Sequence, residues 1–273
     1  MRVFRAACVQ LRSSDDVAEN IRQTAQLVRD AAARGASFIA TPENTTLMAP
    51  DGGAKLAHSF DEAHDPALPV FSALAKELKL WLLIGSLAIK VSDTKTANRS
   101  FLFAPDGSIT ARYSKIHLFD VALASGEVYR ESSTVAGGDA AVVADTAFGA
   151  VGLTICYDVR FPQLYRRLAQ KGAFLFTVPS AFTVPTGQAH WHVLLRARAI
   201  ENGAFVIAPA QGGLHANGRK TYGHSLIVSP WGEILAEAGT DPGVILADID
   251  PALSALAREK VPNLQHDREF AGP

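Results

Sequence analysis

The sequence predicts an α/β protein whose helices cover the outer faces of β-sheets, and three observations carry that reading. Strand-like and helix-like segments alternate along the 273 residues. Most strand-like segments are continuous apolar runs, as expected of strands buried on both faces. Prolines stand where helices open and glycines where they close. Composition agrees, since 48% hydrophobic and 19% charged residues describe a globular chain with a large buried core. With no polar linker to cut at, residues 1–273 read as a single domain.

Residues 3–11 read as a buried strand, and Val17, Ile21, Ala25, Val28 and Ala32 then recur at helical spacing. Asp16 with Glu19 resembles a capping box, and Gly35 suits the helix end. A second strand, 37–41, stops at Pro42. Residues 69–80 read as a helix with Pro69 in its first turn, where the missing N–H costs nothing. Segments 82–87 and 100–103 read as strands, and Pro105-Asp106-Gly107 as a turn. Ile109, Ala111 and Tyr113 alternate with polar neighbours, as in a half-buried strand. The second half repeats the rhythm: strands at 141–145 and 151–156, a helix at 162–172, a strand at 174–179. Residues 186–202 are apolar on more than one side, through Trp191, Val193, Leu194, Leu195 and Ile200, which predicts a largely buried helix. Strands at 204–209, 225–228, 234–236 and 244–248 complete the set.

Several function classes are disfavoured. The net charge of −1, with Lys and Arg scattered singly or in pairs such as Arg166-Arg167 and Arg219-Lys220, gives no footprint for nucleic acid, and the pairs read as solvated surface. No apolar run approaches the roughly 18 residues that span a bilayer, and the opening lacks a signal peptide's apolar region, so no membrane partner is expected and the expected location is cytoplasmic. Two cysteines, Cys8 and Cys156, are too few for a disulfide framework and fit a reducing compartment. His190 and His192 flank Trp191 at a spacing that points them to different helix faces, and neither Cys-x-x-Cys nor His-Glu-x-x-His occurs. Neither metal nor cofactor is expected.

Glu43, Lys115 and Cys156 each fall at or just past the C-terminal end of an expected strand, where α/β sheets place ligands, so one pocket can receive all three. Singly, each has a plain reading. A cysteine ending an apolar strand is usually a small core hydrophobe, the reading that Cys8 keeps. Glu43 reads equally as a surface or capping acid, and Lys115 as a lysine that snorkels to water. Against the plain reading of Cys156 stand Tyr157, Asp158 and Arg160 before a helix opening at Pro162. Helix N-termini and nearby cations lower a thiol's pKa.

Together with their flanks, Pro-Glu-Asn at 42–44, Lys-Ile-His-Leu-Phe-Asp at 115–120 and Cys-Tyr-Asp-Val-Arg-Phe-Pro at 156–162 resemble the nitrilase superfamily of carbon–nitrogen hydrolases. The likeness runs from Ala-Ala-Cys-Val-Gln-Leu at 6–11 to Pro-Trp-Gly-Glu-Ile-Leu at 230–235. It implies a four-layer αββα sandwich that forms a homodimer or larger homo-oligomer through helices on an outer face. It also implies that Cys156 attacks an amide carbon to form a thioester that water hydrolyses, with Glu43 as general base. Lys115 and the backbone N–H of Tyr157 then hold the oxyanion, a type of contact worth roughly 3–4 kcal/mol. A further family glutamate, which orients the lysine or the substrate, matches Glu131 better than Glu127, though a surface reading of Glu131 stays open.

Tyr157-Asp158 after the nucleophile resembles the amidase and carbamoylase branches more than true nitrile hydrolases, which carry Trp-Glu there. Arg160 matches an arginine that binds a substrate carboxylate in related enzymes, a task suited to a planar guanidinium, or it pairs with Asp158 or Glu201 as fold support. Residues 179–201 are most similar to deaminated-glutathione amidases and omega-amidases, with 210–215 and 222–225 leaning toward the former. The stretch Asp120-Val-Ala-Leu-Ala-Ser-Gly lacks the Pro-Gly expected in that loop, which bears on substrate size. The implied substrate is a small amide carrying a carboxylate. Competing readings are a nitrile or N-carbamoyl hydrolase, a Cys–His hydrolase using His117 or His224, and a catalytically idle binding module.

Overall fold

A computed structural model describes residues 2–122, 126 and 128–272. From the N-terminus, β1 (Phe4–Gln10) leads into α1 (Val17–Ala33), which Asp16 caps by accepting the Glu19 N–H. β2 (Phe38–Ala40) follows, then the short α2 (Gly52–Ala57), opened by Asp51 accepting the Ala54 N–H, and α3 (Ala67–Leu78). The expected helix at 69–80 thus begins and ends two residues earlier, with Pro69 still in its first turn and Lys79 closing it in a left-handed conformation. β3 (Trp81–Lys90), β4 (Thr96–Phe103) and β5 (Ile109–Ser114) form a meander. A small hairpin of β6 (Asp120–Ala122) and β7 (Val128–Arg130) precedes β8 (Val135–Ala136).

The second half opens with the hairpin of β9 (Val142–Thr146) and β10 (Gly149–Leu153). Next come α4 (Pro162–Gln170), β11 (Leu175–Thr177), α5 (Val184–Asn202) and β12 (Phe205–Ala208). The hairpin of β13 (Gly212–Leu214) and β14 (Lys220–Tyr222) leads to β15 (Leu226–Val228), β16 (Ile234–Glu237), β17 (Gly243–Ile249) and α6 (Pro251–Lys260).

Besides two small hairpins, two large sheets result among the described residues, each with three parallel strands at its heart. One runs β17-β1-β2-β3-β4-β5, with β8 beside β4; the other runs β16-β15-β12-β11-β10-β9. Side-chain alternation explains their stacking. On β1 to β4, Ala6, Cys8, Phe38, Ala40, Leu83 and Leu102 point at the second sheet and join its core with Leu153, Leu175 and Ile207. Their neighbours Ala7, Val9, Ile39, Leu82 and Phe101 point the other way, onto Val28 and Ala31 of α1 and Phe71 and Leu74 of α3. Leu164 and Leu168 of α4 and Trp191 and Leu195 of α5 close the far side. This is the four-layer αββα sandwich that the sequence resemblance implies. A strand buried on both faces has no polar side, which is why the sequence shows runs rather than alternation.

One expectation is corrected. α5 is not largely buried: Trp191 and Leu195 are, but Val193 is 69% and Ile200 53% exposed. The helix is apolar on two sides and only one of them meets the sheet.

Candidate active site

The turn that carries Glu43 is set by close packing. Ala40 ends β2, and the Thr41 hydroxyl, buried, lies 2.8 Å from that of Thr45, which donates to the Pro42 carbonyl at 2.7 Å. The Asn44 N–H donates to the Ser86 hydroxyl at 2.9 Å, and Asn44 itself has a φ of 56°. This turn presses on β3 at Gly85, where a Cβ would stand 1.9 Å from the Thr41 carbonyl oxygen, so only glycine fits. Lys115 follows β5 directly; its N–H donates to Asn98 and its carbonyl accepts from Gly138.

Cys156 lies past the end of a shorter strand than expected. β10 stops at Leu153, and Cys156 takes a φ of 50° as it opens a 3-10 turn, Cys156–Arg160. For a residue with a side chain this is a strained conformation, of the kind that persists where the surroundings over-determine it. Pro179 accepts the Cys156 N–H at 2.9 Å. Asp158, fully buried, accepts from the Ile155 N–H (2.9 Å), the Tyr113 hydroxyl (2.6 Å), and both the N–H (3.0 Å) and Nδ1 (2.7 Å) of His117. One carboxylate thus ties the segment bearing Lys115 to the turn bearing Cys156.

The three sequence-predicted residues meet. Lys115 Nζ, 2% exposed, donates to Glu43 Oε1 at 2.9 Å and to Glu131 Oε2 at 2.9 Å. Asn98 Nδ2 donates to both carboxylates, at 2.9 Å to Glu43 and 3.2 Å to Glu131. The Phe119 N–H completes the Glu131 shell at 2.7 Å. Burial opposes the charge on Lys115, but Glu131 and then Glu43 outweigh it and hold the ammonium well above its ordinary value. Burial likewise opposes ionisation of Glu131, yet the charge of Lys115 and its hydrogen bond hold that carboxyl at about 2. The Cys156 thiol is pushed up by burial and by the charge of Glu43, against the pull of Lys115 and of the Ala181 N–H. It rests protonated beside the Glu43 carboxylate.

The cluster forms one wall of a cavity of about 380 Å³, also lined by Tyr157, Arg160, Phe182, Lys55 and Arg219. Tyr157 is the second residue of its 3-10 turn, so its N–H has no acceptor within that turn. Arg160 makes neither of its alternative ion pairs. Asp158 is filled by other donors, Arg198 takes Glu201 at 2.8 Å, and Arg160 lies instead over the rings of Tyr157 and Phe182. The histidines of the Cys–His reading are engaged elsewhere: His117 is held by Asp158 and stacked on Phe161, and His224 is stacked on Tyr222. Glu127 and residues 123–125 of the loop lacking Pro-Gly lie outside the described residues. Among the described residues no group of three or more His, Cys, Asp or Glu side chains could hold a metal ion, and no helix is long and apolar enough to cross a membrane.

Sequence reading passed over Asn98, the bridging role of Asp158, Lys55 and Arg219. Asn98 left no trace, because it stands in the polar first half of β4 beside Thr96, Arg99 and Ser100. Arg219, expected at the solvated surface, lines the cavity, and Arg166 is half-buried against the Glu201 and Asn263 carbonyls.

A buried thiol beside a carboxylate and an ammonium, in a cavity at the strand ends of an αββα sandwich, brings together a nucleophile, a base and an anion-stabilising cation. Residues 5–259 match the family described as carbon-nitrogen hydrolase, and the chain belongs to it. Among its relatives, a deaminated glutathione amidase of Synechocystis is 41% identical over 271 residues, 97% of this chain and 98% of that protein. Human omega-amidase NIT2 is 35% identical over 268 residues, 98% of this chain and 96% of that protein. The solved NitFhit protein of C. elegans superposes with a TM-score of 0.91 at 33% identity, over 97% of this chain and 65% of that one.

Proposed function

We propose that the protein hydrolyses the carbon–nitrogen bond of a small carboxylate-bearing amide through a thioester on Cys156; relatives named deaminated glutathione amidase support the amide class. The observation that carries this reading is the convergence of Glu43, Lys115 and Cys156 on one cavity, with Lys115 Nζ bound to Glu43 at 2.9 Å. Glu43 takes the thiol proton as Sγ attacks the amide carbon. The negative charge that develops on the carbonyl oxygen falls to Lys115 and the Tyr157 N–H. Glu43 returns the proton to nitrogen, the C–N bond breaks, and the amine or ammonia leaves. Glu43 then deprotonates a water that attacks the thioester, and the acid departs as Cys156 regains its proton.

Glu131 and Asn98 are positioning residues that aim Lys115 and Glu43, and Arg160 holds a substrate carboxylate over Tyr157. The two free thiols, Cys8 and Cys156, suit a reducing compartment such as the cytoplasm. The exposed apolar side chains Val193, Ile200, Leu253 and Leu256 of α5 and α6 support self-association into a homodimer or larger assembly, which sedimentation tests. The test of the chemistry is amine or ammonia release from carboxylate-bearing amides. Cys156→Ala is expected to abolish it with circular dichroism unchanged; undiminished turnover would refute the mechanism.

A further inference from the structure

The geometry points to a second anion subsite, formed by Lys55 and Arg219, that takes a carboxylate on the departing amine of the substrate. It builds on the amide hydrolysis proposed above. Lys55 projects from α2 into the cavity and donates to Asn44 Oδ1 at 3.1 Å; among the described residues it has no ion-pair partner. The nearest carboxylates it senses, Glu131 and Glu43, are occupied by Lys115. Burial lowers the pKa of Lys55, and Arg219 beside it adds to that effect.

Arg219 lines the same cavity, donates to the Ala181 carbonyl at 3.1 Å and lies over the Tyr129 ring. Its Nε is buried and has no hydrogen-bond partner among the described residues. Most arginines with buried surface here meet a carboxylate, as Arg99 meets Glu62 and Arg198 meets Glu201. Two neighbouring cations that pair with no acid among the described residues, one with a buried donor lacking a partner there, form a site suited to an anion.

The position decides which half of the substrate is held. Arg160 rides the turn of Cys156, to which the acyl half becomes bonded, and its contacts Tyr157, Phe182 and His190 are shared with neither Lys55 nor Arg219. Lys55 is bonded to the residue next to Glu43, the group that hands a proton to the departing nitrogen. Arg160 therefore faces the acyl half and Lys55 with Arg219 the amine half. The volume agrees, since about 380 Å³ lies in the range that takes ligands larger than a small primary amide.

The test uses two amides of 2-oxoglutaric acid formed at C5, one with glycine and one with ethylamine, and reads the ratio of their kcat/KM values. The wild type is expected to favour the glycine amide about tenfold or more, as a charge-assisted pair implies. Lys55→Met and Arg219→Gln should each bring the ratio close to one, and Lys55→Arg should restore it. Calorimetry on Cys156→Ala protein, which cannot turn over, should show the same preference in Kd and its loss when Lys55→Met is added. Turnover of both amides with no preference, or a preference that survives both substitutions, overturns the subsite and leaves the hydrolase reading standing. No turnover of either amide, with equal Kd values, overturns the subsite and the proposed substrate class together.

Discussion

Replacing Glu131 by Gln removes one negative charge from the buried cluster while keeping its shape. In the native protein this side chain, 14% exposed, accepts from Lys115, Asn98 and the Phe119 N–H. Its carboxyl is held at about 2 rather than the ordinary 4.5, a gap worth about 3 kcal/mol. A carboxylate with a depressed folded pKa adds stability that is fully present above the unfolded value and is lost as pH falls toward the folded one. The contribution at pH 7 should thus shrink by about 1 kcal/mol at pH 4 and about 2 kcal/mol at pH 3. Glutamine cannot replace it, because its amide NH₂ would meet the donors of Asn98 or Lys115. Urea unfolding of both proteins, followed by tryptophan fluorescence at pH 7, 4 and 3, isolates this group from every other titrating acid. The expected gap is about 3 kcal/mol at pH 7, narrowing as pH falls. A gap of the same size at all three pH values would refute the electrostatic account and leave only packing. In the amide assay, a lysine left free to swing should cost about 10²-fold in kcat/KM.

Three further perturbations test the same framework. Lys115→Met strands two buried carboxylates, so it should cost about 3–5 kcal/mol of stability by chemical denaturation and abolish measurable turnover; near-normal kcat would remove Lys115 from the oxyanion site. Asp158→Ala leaves the Ile155 and His117 N–H groups and the Tyr113 hydroxyl without their acceptor. It should cost about 3 kcal/mol or more and lower kcat more than it raises KM, and a change confined to KM would contradict its positioning role. Gly85→Ala drives a methyl group into the Thr41 carbonyl, so β2 and β3 must part near Glu43. Stability should fall by about 1–3 kcal/mol and kcat/KM by about 10²-fold, whereas an unchanged enzyme would mean that the turn carrying Glu43 yields without cost.

The ease with which the fold can be read from the sequence follows from burial on both faces. β1, β2, β3, β10, β11 and β12 are apolar at nearly every position, and their spacing by helices with Pro openings and Gly ends forces the parallel arrangement. Periodicity stops there. Whether the two halves of the chain make one sheet or two depends on which face each strand turns to a partner far away in sequence, and an unbroken apolar run carries no such label. The same blindness explains α5: Val193 and Ile200 are as apolar as Trp191 and Leu195, and only the position of the second sheet decides which pair is covered. The resemblance of the motifs supplied what periodicity lacked.

The site shows a different limit. Glu43, Lys115 and Cys156 stood out because each falls within a few residues past a strand end and each carries reactive chemistry. Asn98 and Asp158 work by distance alone, 2.9 Å to Glu43 in one case and 2.7 Å to His117 in the other, and amide or acid side chains at such positions look like ordinary surface residues in a string of letters. Arg219 was misplaced for the same reason: beside Lys220 it has the pattern of a solvated pair, yet β14 begins at Lys220, and its neighbour turns inward over Tyr129. A cation's role is fixed by whether an acid faces it. In this cavity Lys115 has two acids, whereas Lys55 and Arg219 pair with none among the described residues, and on that difference rests the proposed division between a group that acts on the reacting bond and groups that choose the substrate.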